Sequence, residues 1–103
     1  MALPSDSQDV ERLAASFRGL AHPTRLRILD AMRGRQTLSP SQLVQRVEPK
    51  VALGTMAHHT RELTVLRLLA PSGTRPVRGA LEHFYELSPL GRRLLELVDR
   101  LMA

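Results

Sequence analysis

Apolar residues along this chain recur at helical spacing in five places, and between the fourth and fifth they change to alternation. Val10, Leu13, Ala14, Phe17 and Leu20 fall on one face and predict a first helix over about 6–19, capped by Ser5 or Ser7. His22-Pro23 breaks the pattern, and Pro23 suits the first position of a second helix. That helix is expected to run to about Met32, burying Leu26, Ile28, Leu29 and Met32, with Gly34 as its stop. Ser39-Pro40-Ser41-Gln42 combines a cap, a proline at the first helical position and the Gln of a capping box. A short third helix follows to about Val47, with Leu43, Val44 and Val47 inward, and Glu48-Pro49 ends it. A fourth helix with a poorly marked start spans about Ala52 to Leu66.

Leu68 to Thr74, a turn through Pro76-Val77-Arg78-Gly79, and Ala80 to Leu87 predict a β-hairpin. In its second strand Leu81, His83, Tyr85 and Leu87 alternate with Ala80, Glu82, Phe84 and Glu86. Ser88-Pro89 repeats the cap-plus-proline signal and opens a last helix. The order α-α-α-α-β-β-α is mostly helical with one small hairpin, the outline of a winged helix-turn-helix. With 103 residues and no long linker or repeat, the chain is expected to form one domain over 1–103.

Composition narrows the function classes. Without cysteine there are no disulfides, thiolate metal sites or thiol nucleophiles. The aromatics Phe17, Phe84 and Tyr85 are too few for a base-stacking platform. No apolar run spans a bilayer and the first residues lack a signal-peptide pattern, so a cytoplasmic protein is expected, with no membrane partner. There is no phosphate-binding Gly-rich loop, nucleophile elbow or inward carboxylate pair, and nothing orients Ser88 with His83, so the chain does not read as an enzyme. Fifteen basic residues against ten acidic ones leave a net charge of +5. All the cations but Lys50 are arginines, whose planar forks suit phosphates and guanine edges. Residues 50–80 carry Lys50, Arg61, Arg67, Arg75 and Arg78 against Glu62 alone.

On a helical wheel of the fourth helix, Met56, His59, Thr60, Leu63 and Arg67 share one side and Gly54, His58, Arg61, Glu62 and Val65 the other. The second side has small residues near its start, Gly54, Thr55 and Ala57, and can enter a major groove. Thr55, His58 and Arg61 are the candidate base readers, and His59 reads as a hydrogen-bonded core histidine. Arg75 and Arg78, taken as the hairpin tip, suit phosphates or a minor groove. Arg25 lies within the apolar arc of its helix and reads as structural, its stem over the core and its head on carbonyls or a carboxylate.

The last helix carries an apolar arc of roughly 160°, wider than the roughly 100° of a one-sided surface helix. Leu90, Leu94, Leu97, Val98 and Leu101, helped by Val10, Leu13 and Phe17 of the first helix, are therefore expected to form a homodimer interface.

Leu20-Ala21-His22-Pro23-Thr24-Arg25-Leu26-Arg27-Ile28-Leu29 resembles the opening signature of the ArsR-type bacterial repressors. Ala57-His58-His59-Thr60-Arg61-Glu62-Leu63 resembles the recognition helix of that family, and Pro76 to Tyr85 is similar to the wing of one of its branches. The resemblance covers about residues 10–103. It implies a homodimeric repressor that binds double-stranded DNA at a pseudo-palindromic operator. Three positions depart from the pattern. The turn after Val47 is about two residues longer, Thr60 replaces an apolar residue, and Arg67 stands where Gly often ends the helix, suggesting a different stop. Metal sensors of that family use Cys thiolates, or carboxylate and His ligands on the last helix. This chain has no Cys and no His on its last helix, and the adjacent His58 and His59 point apart, so no metal and no cofactor are expected. The competing expectation from another class is a winged-helix interaction module whose basic face meets an acidic protein.

Overall fold

The computed structural model describes residues 7–103 and arranges them as α1 (Ser7–Leu20), α2 (Pro23–Ala31), α3 (Pro40–Arg46), α4 (Leu53–Val65), β1 (Leu69–Val77), β2 (Ala80–Leu87) and α5 (Pro89–Met102). The expected cap at Ser5 lies outside the described residues. Five helices and an antiparallel hairpin in this order make a winged helix-turn-helix. Its core joins Leu20, Ile28, Leu29, Met32, Leu38, Leu43, Met56 and Leu63 to the hairpin root at Leu68, Leu69 and Leu87, and to Leu95 of α5.

The proline-marked starts are formed by the contacts their sequences encode. Ser39 Oγ accepts from the Gln42 N–H at 3.4 Å, and Gln42 Oε1 accepts from the Ser39 N–H at 3.0 Å, closing the capping box of α3. Helix α2 ends sooner than expected, at Ala31. Gly34 is not its stop. The Met32 N–H closes a tighter turn on the Leu29 carbonyl, and the left-handed residue that follows is Arg35, at φ 59°. Leu26 corrects a second expectation, because it is 40% exposed. Its side of α2 faces the flank of α5, beside Leu95, Val98 and Met102, where only Leu95 is buried.

At the end of α4 the expected change of helix stop does not occur. Arg67 itself takes the left-handed conformation that Gly would occupy, at φ 62°. Its N–H bonds the Thr64 carbonyl at 2.9 Å, and the Leu68 N–H reaches back to the Leu63 carbonyl at 2.9 Å, the pair of bonds of a Schellman closure. Because the helix stops at Val65, Arg67 leaves the inner side the wheel gave it and is exposed.

Helix α5 is fastened to this same closure. Ser88 Oγ donates toward the carbonyls of Arg67 and Leu68, at 2.6 and 3.0 Å, while accepting the Gly91 N–H at 2.9 Å. The Ser88 N–H adds a bond of 3.1 Å to the Leu68 carbonyl. A Cβ at Gly91 would run into the Leu68 carbonyl oxygen and Leu87 Cδ1, so only glycine permits this approach.

The hairpin differs from expectation in its turn. Strand β1 continues through Pro76 and Val77, which pair with Leu81 and Ala80, and the turn shrinks to Arg78-Gly79. Both turn residues have positive φ, 49° and 80°, as a two-residue hairpin matched to strand twist requires. The register shifts between Pro71 and Gly73, leaving Ser72 as an extra residue on β1. Such a bulge sharpens the local twist. Simple alternation of burial on β2 is lost there: Glu82 and Phe84 are half-buried on one side of the shift, and Tyr85 and Leu87 face inward on the other. Leu38 and Tyr85 exchange backbone bonds of 3.0 and 2.9 Å, so the chain before α3 acts as a one-residue third strand.

Adding a methyl group at Gly91 tests the junction. Gly91→Ala is expected to lose about 1–3 kcal/mol of stability in urea unfolding, the usual cost of overpacking. Gly34→Ala, where an added Cβ meets nothing closer than 3.5 Å, is expected to unfold like wild type.

Candidate nucleic-acid interface

Helix α4 is anchored by one face and free on the other. Met56, Thr60 and Leu63 are fully buried and His59 nearly so. The Thr60 hydroxyl, set among apolar neighbours, donates to the Ala57 carbonyl at 2.8 Å, which is how a polar residue fits this position. The His59 ring meets Arg25, whose side chain is embedded between α2 and α4. Arg25 Nε donates to His59 Nδ1 at 3.0 Å, and Arg25 Nη1 donates to the Gly19 carbonyl at 3.0 Å. Both the structural reading of Arg25 and the core reading of His59 are met. Burial, and then the nearby Arg25 charge, hold the His59 imidazole below its usual pKa. It is the neutral ring, with Nδ1 bare, that can accept the Arg25 proton.

The longer turn between α3 and α4 is tied down from α2. Thr24 Oγ1 donates to Glu48 Oε2 at 2.6 Å, Arg27 Nη1 lies 3.3 Å from Glu48 Oε1, and the Val51 N–H closes on the Glu48 carbonyl at 3.0 Å. The extra residues therefore form a braced turn. The start of α4 has no side-chain cap, as its sequence suggested.

Gly54, Thr55, His58 and Arg61 are exposed together on the outer side of α4, and Ala57 is half-buried beside them. Among the described residues, Arg61 has no ion-pair partner. Arg78 stands in the hairpin turn, also without one. Arg75 is placed differently from expectation. It lies three residues before the turn, opposite Glu82, with Nη2 2.7 Å from Glu82 Oε1 and its guanidinium 5.5 Å from the Phe84 ring centre. Sequence reasoning missed Glu82. Its pairing with Arg75 could have been read from the hairpin register, but its second pair of contacts, to Ser39 and Ser41, lies more than forty residues away. Arg67 lines a groove with Arg12, Ser16, Leu66 and Leu90 at the far end of α4, about 18 Å of helix from its start.

Of the dimer candidates, Val10, Leu13, Phe17, Leu90, Leu97 and Leu101 are exposed and Leu94 and Val98 half-buried. Phe17 is 57% exposed and Leu101 77%. Leu13, Phe17, Leu90, Leu94 and Leu97 line an apolar cleft of about 240 Å³ between α1 and α5. The imidazoles of His22 and His58 lie 5.1 and 5.9 Å from that of His59, and among the described residues there is no group of three His, Asp or Glu side chains that could hold a metal ion. No described helix is long and apolar enough to cross a membrane.

A family model described as a helix-turn-helix domain matches residues 20–70, from the end of α1 into β1. None of the curated proteins matches the chain. Solved structures do. The homodimeric winged helix-turn-helix DNA-binding domain of Mb0332 from Mycobacterium bovis, a possible ArsR-family regulator, aligns over 99% of this chain and 90% of its own, at 21% identity and a TM-score of 0.74. The transcriptional repressor BigR from Xylella fastidiosa aligns over 94% and 92%, at 16% identity and a TM-score of 0.69. A MarR-family regulator from Porphyromonas gingivalis W83 aligns over 99% and 93%, at 19% identity and a TM-score of 0.68. Likeness at these identities establishes the winged helix-turn-helix fold.

The Arg25–His59 bond implies a pH dependence. Because folding lowers the His59 pKa, the unfolded chain takes up a proton first, so stability falls as pH drops below about 6.5 toward the folded-state value. The melting temperature of wild type is expected to fall between pH 7 and 5 by more than that of His59→Gln, whose amide oxygen can still accept from Arg25. Parallel melting curves for the two proteins would show that His59 does not set the pH dependence.

Proposed function

We propose that this chain is a cytoplasmic, homodimeric transcriptional repressor of the ArsR type, binding double-stranded DNA at a pseudo-palindromic operator. One observation carries the reading: a helix anchored by Met56, His59, Thr60 and Leu63 turns Gly54, Thr55, His58 and Arg61 outward. Small residues at the helix start let its uncapped N–H groups approach a phosphate. Thr55, His58 and Arg61 then face base edges, where the major groove distinguishes all four base pairs. Arg78 at the hairpin tip meets the backbone beside that groove.

Dimer formation is supported by the apolar surface of α1 and α5, which the fold leaves uncovered. Inside one subunit α5 buries Gly91 and Leu95, while Leu90, Leu97 and Leu101 remain exposed. A two-fold dimer through this layer would present two copies of α4 to half-sites roughly 34 Å apart. The ArsR assignment rests on the Leu20–Leu29 signature, and the homodimeric Mb0332 domain is a neighbour in keeping with it.

Selection from a random duplex pool is expected to enrich a pseudo-palindrome. Arg61→Ala should then cost about 1–3 kcal/mol on that site and relax base choice. Arg78→Ala should weaken selected and scrambled duplex alike and lower the salt slope by about one. Failure of both variants to lose affinity would move the protein to the interaction-module class. Separately, Leu97→Glu should shift the sedimenting species from dimer to monomer, and a wild-type monomer at tens of micromolar would refute the interface.

A further inference from the structure

The wing is joined to the helix-turn-helix by one carboxylate. Glu82, midway along β2, points toward the start of α3. Its Oε2 accepts from Ser39 Oγ at 2.7 Å and from Ser41 Oγ at 2.9 Å, and its Oε1 accepts from Arg75 at 2.7 Å. Ser39 is buried and is itself the cap of α3, so this carboxylate touches the residue that starts the helix. Only 17% of the Glu82 side chain is exposed, whereas Arg75 is 62% exposed. The three donors hold the Glu82 carboxyl below the usual carboxylate range, Ser39 contributing most. Three residues further along β2, the Leu38–Tyr85 backbone pair joins the same two elements.

We propose that Glu82 is a positioning residue for DNA recognition: it locks the wing onto α3 and withdraws Arg75 from the phosphates, leaving Arg78 as the cation the wing presents. The inference rests on the DNA-binding reading above and goes beyond it by naming what sets the wing's angle and charge. A hinge at the hairpin root would let the tip, several residues out, sweep across many backbone positions. The Glu82 lock and the Leu38–Tyr85 pair remove that freedom at two points along β2, where the adjacent residues Ser39 and Leu38 hold it three residues apart. The lock also takes one positive charge out of the interface, so attraction common to every sequence contributes less beside base contacts that differ.

Glu82→Gln keeps the side chain's shape and removes its charge. It is expected to fold, to bind scrambled duplex more tightly, and to raise the salt slope by about one as Arg75 reaches a phosphate. Preference for the selected site over scrambled duplex should fall about fivefold, on the scale of the net worth of one ordinary hydrogen bond. Adding Arg75→Ala to Glu82→Gln should return the slope to the wild-type value, a reversal that general destabilisation would not produce. Should Glu82→Gln fail to fold, Ser41→Ala, which removes one exposed donor, is expected to lower the preference in the same direction. An unchanged slope and preference in folded Glu82→Gln would overturn the proposal. Amide exchange at Leu38 and Tyr85, expected to quicken about tenfold in Glu82→Gln, reads the lock without DNA. Quickened exchange in a protein that binds no duplex would refute the DNA-binding reading while leaving the lock in place. Unchanged exchange would refute the lock.

Discussion

A buried guanidinium organises the half of this molecule that holds α4. Arg25 is only 8% exposed, and a charge so placed needs its hydrogen-bond directions filled. One is filled by the Gly19 carbonyl at the last turn of α1, where helix carbonyls lack intrahelical donors and carry partial negative charge. Another is filled by His59 Nδ1 on α4. The guanidinium therefore fixes the end of one helix, the middle of a second and the first turn of its own. Removing either acceptor would leave a guanidinium N–H unmet beside the core, so the three helices are constrained as a set. Gly19 matters twice, because a Cβ there would run into Leu66 just past the end of α4.

That constraint leaves the polypeptide with two unlike surfaces. On one, α4 offers small and hydrogen-bonding groups with the Arg61 cation among them. On the other, α1 and α5 offer leucines, a valine and a phenylalanine. Helix α5 is held to the rest by few contacts: Leu95, the Ser88–Gly91 junction, and Arg33, whose Nη1 and Nη2 donate to both oxygens of Asp99 at 2.9 and 2.8 Å. Those contacts set the direction of α5, with Leu94 packed against the core, and leave Leu90, Leu97, Leu101 and Met102 exposed.

The hairpin is positioned by its root and by its side. At the root, Leu68, Leu69 and Leu87 enter the core and Ser88 links the ends of the two strands to α5. At the side, Glu82 and Tyr85 bind the chain at the start of α3. Beyond these points the strands project, and the molecule extends 51 Å along its longest axis against 30 and 23 Å across. Arg78, at the outer turn, owes its location to every one of these inner contacts.

Much of this was legible in the residues themselves. Proline at a first helical position, a serine cap and a capping-box glutamine act within four residues, so Pro23, Ser39 and Ser88 marked helix starts that the folded chain adopts. The 3.6-residue period separated Met56, His59, Thr60 and Leu63 from Gly54, His58 and Arg61, because a helix face follows from spacing alone. Local rules failed where an outcome depended on a neighbour brought in from elsewhere. Gly34 promised a stop, but the helix already ends at Ala31 in the tighter turn that the Met32 N–H closes on the Leu29 carbonyl. Arg67 took the left-handed turn without being glycine, its closure braced by Ser88 from twenty-one residues on. Leu26 fitted the buried stripe of α2 but met a helix flank that covers it only partly. Arg75 and Arg78 lie close in sequence, but the two-residue turn leaves Arg75 off the tip and opposite Glu82, which pairs with it. Sequence by itself determined which segments form helices and strands and which faces are apolar, since those depend on short-range sterics and periodicity. Only the tertiary structure decided that Arg27 meets Glu48, that Arg33 meets Asp99 and that Glu82 also holds Ser39, because those partners are brought together by packing between distant segments.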